Sequence, residues 1–217
     1  VNDRTRRSSP TQVSGTNWNL HTKGWEHSIA TKTDNTLWTW GENYFGELGQ
    51  NSKVSYSSPV QIPGTTWSFV GTGYYFSIAT KTDGTLWSWG YNTYGTLGQN
   101  NKTKYSSPVQ IPGTTWAATQ PYAGQYAACA TKTDGTLWTW GTGGGGVLGQ
   151  NSTTQYSSPR QVPGTTWGTD LKNKVAAGGE HVVWIKTDGT LWSWGGSNDY
   201  GSLAQNNRTG YSSPTQI

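Results

Sequence analysis

The acidic side chains are the first candidates for chemistry in this chain of 217 residues. Glycoside hydrolysis, for example, needs two carboxyl groups that flank the same bond of the substrate. Four aspartates, however, occupy one position of a repeated Lys-Thr-Asp-Gly/Asn-Thr-Leu-Trp motif, namely Asp34, Asp83, Asp134 and Asp188. Because Asp-Gly is a strong signal for a β-hairpin turn, we interpret these four as turn residues. The remaining acids show no spacing that would pair them.

The histidines and the cysteine are the next candidates for a base, a nucleophile or a metal ligand. His27 and His181 share one position of the repeat, where the other copies carry Phe or Ala, so we predict hydrogen-bonded core histidines. Cys129 stands where two other copies carry Ile, and we interpret it as a small core side chain. A single cysteine excludes an internal disulfide framework and a multi-cysteine metal site. We therefore predict that the protein is not an enzyme and uses no cofactor or metal.

Aromatic residues are unusually abundant, with 14 Trp and 12 Tyr. Twelve of the tryptophans fall into three periodic columns, which are Trp18, Trp67, Trp116 and Trp167; Trp38, Trp87, Trp138 and Trp192; and Trp40, Trp89, Trp140 and Trp194. A large side chain that recurs in every repeat is typical of a core position, so we expect all three columns to be buried. Trp25 and Trp184 break this pattern.

One bend of the repeat carries the candidate contacts with a partner. Aromatic rings there can stack on a sugar or pack against a protein, and neighbouring polar side chains can form hydrogen bonds. The predicted contact residues for a protein partner or a glycan are Trp25, Glu26, Tyr74, Tyr75, Gln125, Tyr126 and Glu180.

Basic residues suggest a second candidate surface, in the loop between Gly/Ala-Gln-Asn and Tyr-Ser-Ser-Pro. Three of the repeats carry them, and a propeller would gather them on one rim. They are Lys53, Lys102, Lys104 and Arg208. Four charges give only a weak, salt-sensitive attraction to phosphate. The net charge of +4 with 12% charged residues is also mild, so we do not expect nucleic-acid binding.

These candidates are positioned by an internal repeat of about 50 residues. The triplet Ser-Ser-Pro ends at Pro10, Pro59, Pro108, Pro159 and Pro214. A period of this length is typical of propellers and solenoids. We divide the single repeat region 1–217 into repeats 11–59, 60–108, 109–159 and 160–214, which differ in length mainly after the Gly-Thr-Thr-Trp motif.

Each repeat reads as β-strands joined by tight turns. Residues 77–81 and 85–90 flank Thr82-Asp83-Gly84, which predicts a hairpin. Apolar side chains occur on both faces of the second strand, so the sheet must pack between neighbouring sheets. The segment Pro59–Pro63 is bounded by prolines, which predicts an edge strand. No segment shows a helical period, and the fold class is all-β.

The stretch 73–113, with its Asp-Gly, Trp-Gly-x-Asn and Gly-x-Leu-Gly motifs in order, resembles the regulator of chromosome condensation repeat family. The resemblance covers nearly the whole chain and implies blades of a β-propeller, which has seven blades in full members. Some positions depart from the family pattern. Phe76 and Ala127 replace its His, Ala204 replaces the last Gly of Gly-x-Leu-Gly, and Gly143–Gly145 stands where the first repeat has Asn-Tyr-Phe.

Four repeats leave three architectures open: a closed four-bladed ring, an open arc of a larger propeller, or a piece completed by other chains. The strand segment 8–13 is repeated at 212–217, whereas a closed ring of four needs that strand only four times. The chain also lacks methionine and ends within a repeat. We therefore expect an open arc of a larger, seven-bladed type of propeller or repeat array, with exposed end blades.

The function predicted from these features is a non-enzymatic interaction or structural scaffold with a protein partner or self-assembly. Contacts are expected through the variable loops 42–46, 91–95, 142–147, 196–201 and 168–180. The alternative is a carbohydrate-binding module that uses exposed Trp and Tyr. The family resemblance also implies nucleotide exchange on a small GTPase and chromatin binding, but no insertion exceeds a few residues, so we do not expect it. The charge-poor surface favours an extracellular or virion setting, and no apolar run reaches the roughly 18 residues of a membrane span.

Overall fold

The computed structural model describes residues 5, 8–169, 175–177, 180–196 and 198–217. This part of the chain forms four four-stranded sheets, called blades 1 to 4. Blade 1 consists of β1 (Trp18–Lys23), β2 (His27–Lys32), β3 (Leu37–Gly41) and β4 (Tyr56–Ile62); blade 2 of β5 (Trp67–Thr72), β6 (Phe76–Lys81), β7 (Leu86–Gly90) and β8 (Tyr105–Ile111). Blade 3 consists of β9 (Tyr122–Ala123), β10 (Ala127–Thr131), β11 (Leu137–Gly141) and β12 (Tyr156–Val162); blade 4 of β13 (Val175–Ala177), β14 (His181–Ile185), β15 (Leu191–Gly195) and β16 (Tyr211–Gln216).

Every blade is an antiparallel meander, because each strand pairs with the next one along the chain. The first strands of successive blades contact each other, β1 with β5 and β5 with β9, and form the inner side of the arc. The fourth strands, which carry Ser-Ser-Pro, lie at the outer edge, as predicted from their prolines. The only helical element in the described residues is a short 3₁₀ turn, Gly144–Gly146. The all-β propeller fold is therefore confirmed.

The predicted hairpin turns are stabilised by the aspartates. In blade 2, Asp83 Oδ1 accepts hydrogen bonds from the Thr85 backbone N–H at 3.0 Å and from its hydroxyl at 2.6 Å. The Thr85 oxygen in turn accepts a hydrogen bond from the Trp87 indole at 2.8 Å. These bonds favour the ionised carboxylate and lower the pKa of Asp83. The same contacts recur in the other three blades, so these aspartates are turn residues.

The buried core lies between successive blades. The large buried side chains include Ile29, Leu37, Ile62 and Trp67 between blades 1 and 2; Phe76, Leu86, Ile111 and Trp116 between blades 2 and 3; and Leu137, Leu148, Val162 and Trp167 between blades 3 and 4. Each interface also buries a tryptophan of the following blade, whose indole N–H reaches back to a carbonyl of the preceding blade. These bonds join Trp89 to Glu47, Trp140 to Thr96 and Trp194 to Val147 at 2.8–2.9 Å. One interface design is thus repeated three times.

The prediction that all three tryptophan columns are buried is wrong for the second one. Trp38, Trp87, Trp138 and Trp192 are half-buried. Each ring lies under a lysine of the same hairpin, as in Lys81, whose ammonium is 4.2 Å from the Trp87 ring centroid. This column is covered by cation–π contacts rather than by a neighbouring blade. The blade 1 members of the other two columns, Trp18 and Trp40, are also half-buried, because no described blade precedes blade 1.

The predictions of a core histidine and a core cysteine are confirmed for His27 and Cys129. His27 is buried, its Nε2 lies 3.1 Å from the Ser77 hydroxyl, and burial lowers its pKa to about 4. Cys129 is buried between blades 3 and 4, and burial raises the pKa of its thiol to about 12. His181 is half-buried at the start of β14. Neither His27 nor Cys129 is exposed for chemistry.

The two copies of the terminal strand behave differently. Residues 211–216 form β16 and pair with β15, whereas residues 8–13 form no strand. A Ser-Ser-Pro strand always pairs with the Leu-Trp strand that precedes it, as β4 pairs with β3.

The connections divide the arc into two faces. The loop face carries the bends 24–26, 73–75 and 124–126 and the long loops 42–55, 91–104, 142–155 and 196–210. The turn face carries the Asp-containing hairpins and the Gly-Thr-Thr loops that link the blades. Within the described residues, no helix is long and apolar enough to cross a membrane.

Candidate binding surface

Seven aromatic side chains form one continuous cluster on the loop face, here called the aromatic surface. Its members are Trp25, Phe45, Tyr74, Tyr75, Tyr91, Tyr94 and Tyr126. Neighbouring ring centroids lie between 4.9 Å and 6.2 Å apart, and the rings are tilted or edge-on. These are the favoured geometries of aromatic pairs. The cluster therefore forms one surface across blades 1 to 3.

The backbone explains why these rings meet. Equivalent bends of successive blades are joined by hydrogen bonds, since Trp25 N donates to Tyr74 O at 3.2 Å and Tyr74 N donates to Gln125 O at 3.3 Å. Within blade 2, Tyr91 N donates to Tyr75 O at 2.8 Å, which fixes the long loop against the bend. Each bend thus places its side chains beside those of the next blade.

The aromatic surface remains accessible to a partner. Trp25 is 57% exposed and Tyr94 is 36% exposed, and the other five rings are half-buried. Partial burial raises the pKa of Tyr126, and the nearby Tyr75, Tyr91 and Tyr94 hydroxyls act in the same direction. The Gln125 side chain opposes this shift through a hydrogen bond to Tyr126. The Tyr126 hydroxyl therefore lies close to the hydroxyls of these three tyrosines.

The predicted basic rim is distributed over three blades, and one of its members joins the aromatic surface. The Lys104 ammonium lies 4.7 Å from the Phe45 ring centroid and 4.9 Å from that of Tyr91. These contacts are cation–π interactions that connect loop 91–104 to blade 1. Lys53, Lys102 and Arg208 are exposed on the loop face, where Lys53 lines a hollow with Tyr44 and Arg208 lines another with Tyr200.

Three glutamates lie near the blade 1 end of the aromatic surface. Glu26 is exposed, and its carbonyl accepts a hydrogen bond from Glu42 N at 2.9 Å. Partial burial raises the pKa of Glu42, and the nearby charge of Glu26 adds to this shift. Glu47 is fully buried, one of its carboxyl oxygens accepts a hydrogen bond from Phe45 N at 2.7 Å, and burial raises its pKa. The Glu47 carboxyl group therefore fixes the backbone of Phe45 by a hydrogen bond from the buried side of the loop.

The remaining predicted contact residue, Glu180, lies apart from the seven rings. It is exposed in the bend of blade 4, and its carbonyl accepts a hydrogen bond from Gly196 N at 3.0 Å. Parts of the variable loops predicted in this blade lie outside the described residues, namely 170–174, 178–179 and 197. The predicted contact residues other than Glu180 therefore converge in blades 1 to 3.

A hollow of about 350 Å³ opens beside the aromatic surface at the inner side of the arc. Trp25, Tyr74, Tyr122 and Gln125 line it, together with Lys23 and the glycines of the three bends. We call it the axial hollow. No group of three or more metal-ligating side chains occurs among the described residues. The lining of the axial hollow thus presents rings, hydroxyl groups, one amide and one ammonium group.

Three rings of this surface were not among the predicted contact residues. Phe45, Tyr91 and Tyr94 lie in the variable loops 42–46 and 91–95. The sequence predicts that these loops contact partners, but it does not single out these side chains. The signal was present in the sequence, because these loops contain Asn-Tyr-Phe and Tyr-Asn-Thr-Tyr. The contacts of Phe45 with Tyr75 and of Tyr94 with Tyr126 join residues of different blades and could not be read from the repeat alone.

Comparison with known proteins places this fold in a family. The profile of the regulator of chromosome condensation (RCC1) repeat matches residues 34–80, 83–130 and 134–185, and a second profile of the same repeat matches 67–96 and 173–202. Among curated proteins, a segment of the mouse E3 ubiquitin-protein ligase HERC2 is 31% identical over 94 residues, 43% of this chain and 2% of HERC2. The zebrafish protein RCC2 homolog is 32% identical over 77 residues, 36% of this chain and 15% of that protein.

Solved structures show the same arrangement of blades. Prp20p from Saccharomyces cerevisiae superposes with a TM-score of 0.80 at 19% identity, covering 97% of this chain and 53% of that chain. Human WBSCR16 gives a TM-score of 0.78 at 20% identity, covering 98% of this chain and 55% of that chain. The chain therefore spans about half the length of these structures and a small part of the curated relatives.

Proposed function

The chain belongs to the RCC1 repeat family, and from that premise we propose that it is a non-enzymatic interaction module that binds a protein partner through the aromatic surface. The observation that carries this proposal is the continuous cluster of seven rings on one face. Tyrosine, tryptophan and phenylalanine are enriched in protein interfaces, where a few such residues supply most of the binding energy.

The relatives support a binding role without defining the partner. The similar structures include yeast RCC1 bound to Kap60, and Prp20p, which has binding properties to Gsp1p and histones. HERC2 is named as a ligase, but this chain matches 2% of it, so ligase activity is not part of the proposal. The scaffold role, self-assembly and the extracellular or virion setting stay predictions from composition and repeats.

A photo-crosslinking experiment tests the proposed partner surface. A photoreactive phenylalanine analogue is placed at Tyr94, on the aromatic surface, and at the exposed Thr82, on the turn face, as the matched control. We expect a protein from an extract of the source organism to crosslink to position 94 and not to position 82. The crosslinked protein is then identified by mass spectrometry and purified.

Direct titration with the purified partner completes the test. We expect the Tyr94→Ala variant to bind about tenfold more weakly, because an interface aromatic typically contributes more than 1 kcal/mol. The Thr82→Ala variant should bind like the unmodified chain. Equal crosslinking from both faces, or equal affinity of both variants, contradicts the proposal.

A further inference from the structure

The axial hollow has the size of a small-molecule site. Its volume of about 350 Å³ lies at the small end of the range of ligand pockets, which suits one or two sugar rings better than a long peptide. It opens where the inner strands of blades 1 to 3 meet, and its position depends on the bend-to-bend hydrogen bonds from Trp25 to Tyr74 and from Tyr74 to Gln125. The site is therefore built by three adjacent blades.

Trp25 supplies an apolar wall of the hollow and lies outside the repeated core. It is not a member of the three periodic tryptophan columns, and 57% of its surface is exposed. Its ring packs against Tyr74 at a centroid distance of 5.1 Å with a tilt of 35°, so one neighbour holds it in place. An exposed indole supported in this way can stack on the C–H face of a pyranose ring.

The other lining groups are mainly neutral hydrogen-bonding groups. Gln125 provides a planar amide, and its side chain is positioned by the hydrogen bond to Tyr126. Lys23 is the one charged side chain among the lining residues. A phosphate or a nucleotide would need several cationic or N–H donors at one point. A saccharide instead presents apolar C–H faces and hydroxyl groups, which matches an indole beside an amide.

We propose that the axial hollow binds a neutral pyranose unit of a saccharide, with Trp25 stacking on the sugar ring and Gln125 bonding to its hydroxyl groups. This site goes beyond the proposed protein partner and does not depend on it. The two sites share Trp25 and Tyr74, whereas Tyr94 belongs to the aromatic surface alone and lies outside the lining of the hollow.

Calorimetric titration of the whole chain with neutral sugars tests this site. The probes are cellobiose, maltose, lactose and N,N′-diacetylchitobiose, each titrated to about 10 mM to reach weak affinities. We expect at least one of them to bind, with affinity reduced about tenfold or more by Trp25→Ala and less by Trp25→Phe. The Gln125→Ala variant should also weaken binding.

The control is Tyr200→Ala, which removes a fully exposed aromatic ring from the same face, outside the hollow. It should bind the sugar as the unmodified chain does, and thermal melting should show that all variants remain folded. The proposal is overturned if none of the four sugars binds, or if Trp25→Ala binds as well as Tyr200→Ala. Loss of the protein partner in Tyr94→Ala with intact sugar binding would separate the two sites.

Discussion

At the scale of single residues, the same repeat position holds different chemistry in different blades. His27 of blade 1 corresponds to Phe76 of blade 2, and both side chains are buried in the same way beneath their bends. The His27 ring lies against Ser77 of the next blade, whose hydroxyl also donates to the Glu47 carbonyl at 2.9 Å. A histidine here adds a titratable group to an otherwise apolar position.

This difference predicts the pH dependence of stability. The pKa of His27 falls from 6.5 to about 4 on folding. The contribution of the neutral ring to folding stability is therefore fully present above pH 6.5 and is lost as the pH falls towards 4. The shift corresponds to about 3 kcal/mol across that window. We expect His27→Phe to flatten the dependence of the denaturation midpoint on pH between 6.5 and 4.

The residue that blade 2 itself uses makes this a conservative test. Phe76 shows that the bend accepts a phenyl ring, so the His27→Phe variant should remain folded at pH 7. Urea denaturation at a series of pH values measures the effect. If the variant and the unmodified chain lose stability in parallel from pH 6.5 to 4, His27 is not the group responsible.

At the scale of elements, two tryptophan columns on one strand have different roles. Trp140 of β11 is fully buried, and its indole N–H donates to Thr96 O of the preceding blade at 2.9 Å. Trp138 of the same strand is half-buried under Lys132 and donates to Thr136 within its own hairpin at 2.8 Å. The first joins blades, whereas the second covers a turn.

The pair predicts unequal effects of the same substitution. Trp140→Phe should lower the free energy of unfolding by about 3 kcal/mol, because it leaves a cavity and an unpaired buried carbonyl. Trp138→Phe should lower it by about 1 kcal/mol, since water can replace the lost partner. Chemical denaturation of both variants measures the difference, and equal losses would contradict the assignment of the two columns.

The sequence is informative about elements because the repeat carries local signals. Asp-Gly turns, proline-bounded edge strands and the bend with Trp25 follow from local chemistry. The half-buried state of Trp138 does not, since Trp138 shares one face of β11 with the buried Trp140 and differs from it in lying nearer the hairpin, where Lys132 covers its ring. Likewise, the cation–π contact of Lys104 with Phe45 joins two loops whose relative position only the packing of blades determines.

At the scale of the whole molecule, the three described interfaces are copies of one arrangement. In each, a glycine with positive φ in the Gly-x-Leu motif lies against the Ser-Ser-Pro strand of the following blade. At Gly95, with φ of 73°, an added Cβ would come within 2.5 Å of Ser157 Cα. At Gly201 of blade 4, with φ of 76°, an added Cβ would meet nothing within 4 Å.

These two glycines therefore separate blade packing from backbone strain. Both substitutions with alanine incur the cost of positive φ, about 1 kcal/mol. Gly95→Ala must in addition displace the backbone of blade 3. We therefore expect it to lower the free energy of unfolding by roughly a further 1–3 kcal/mol. Thermal melting of the chain 1–217 measures the difference. The midpoint should fall much less in Gly201→Ala than in Gly95→Ala. Equal midpoints would mean that the outer side of blade 4 is covered in solution, as self-assembly of this chain through its last blade would produce.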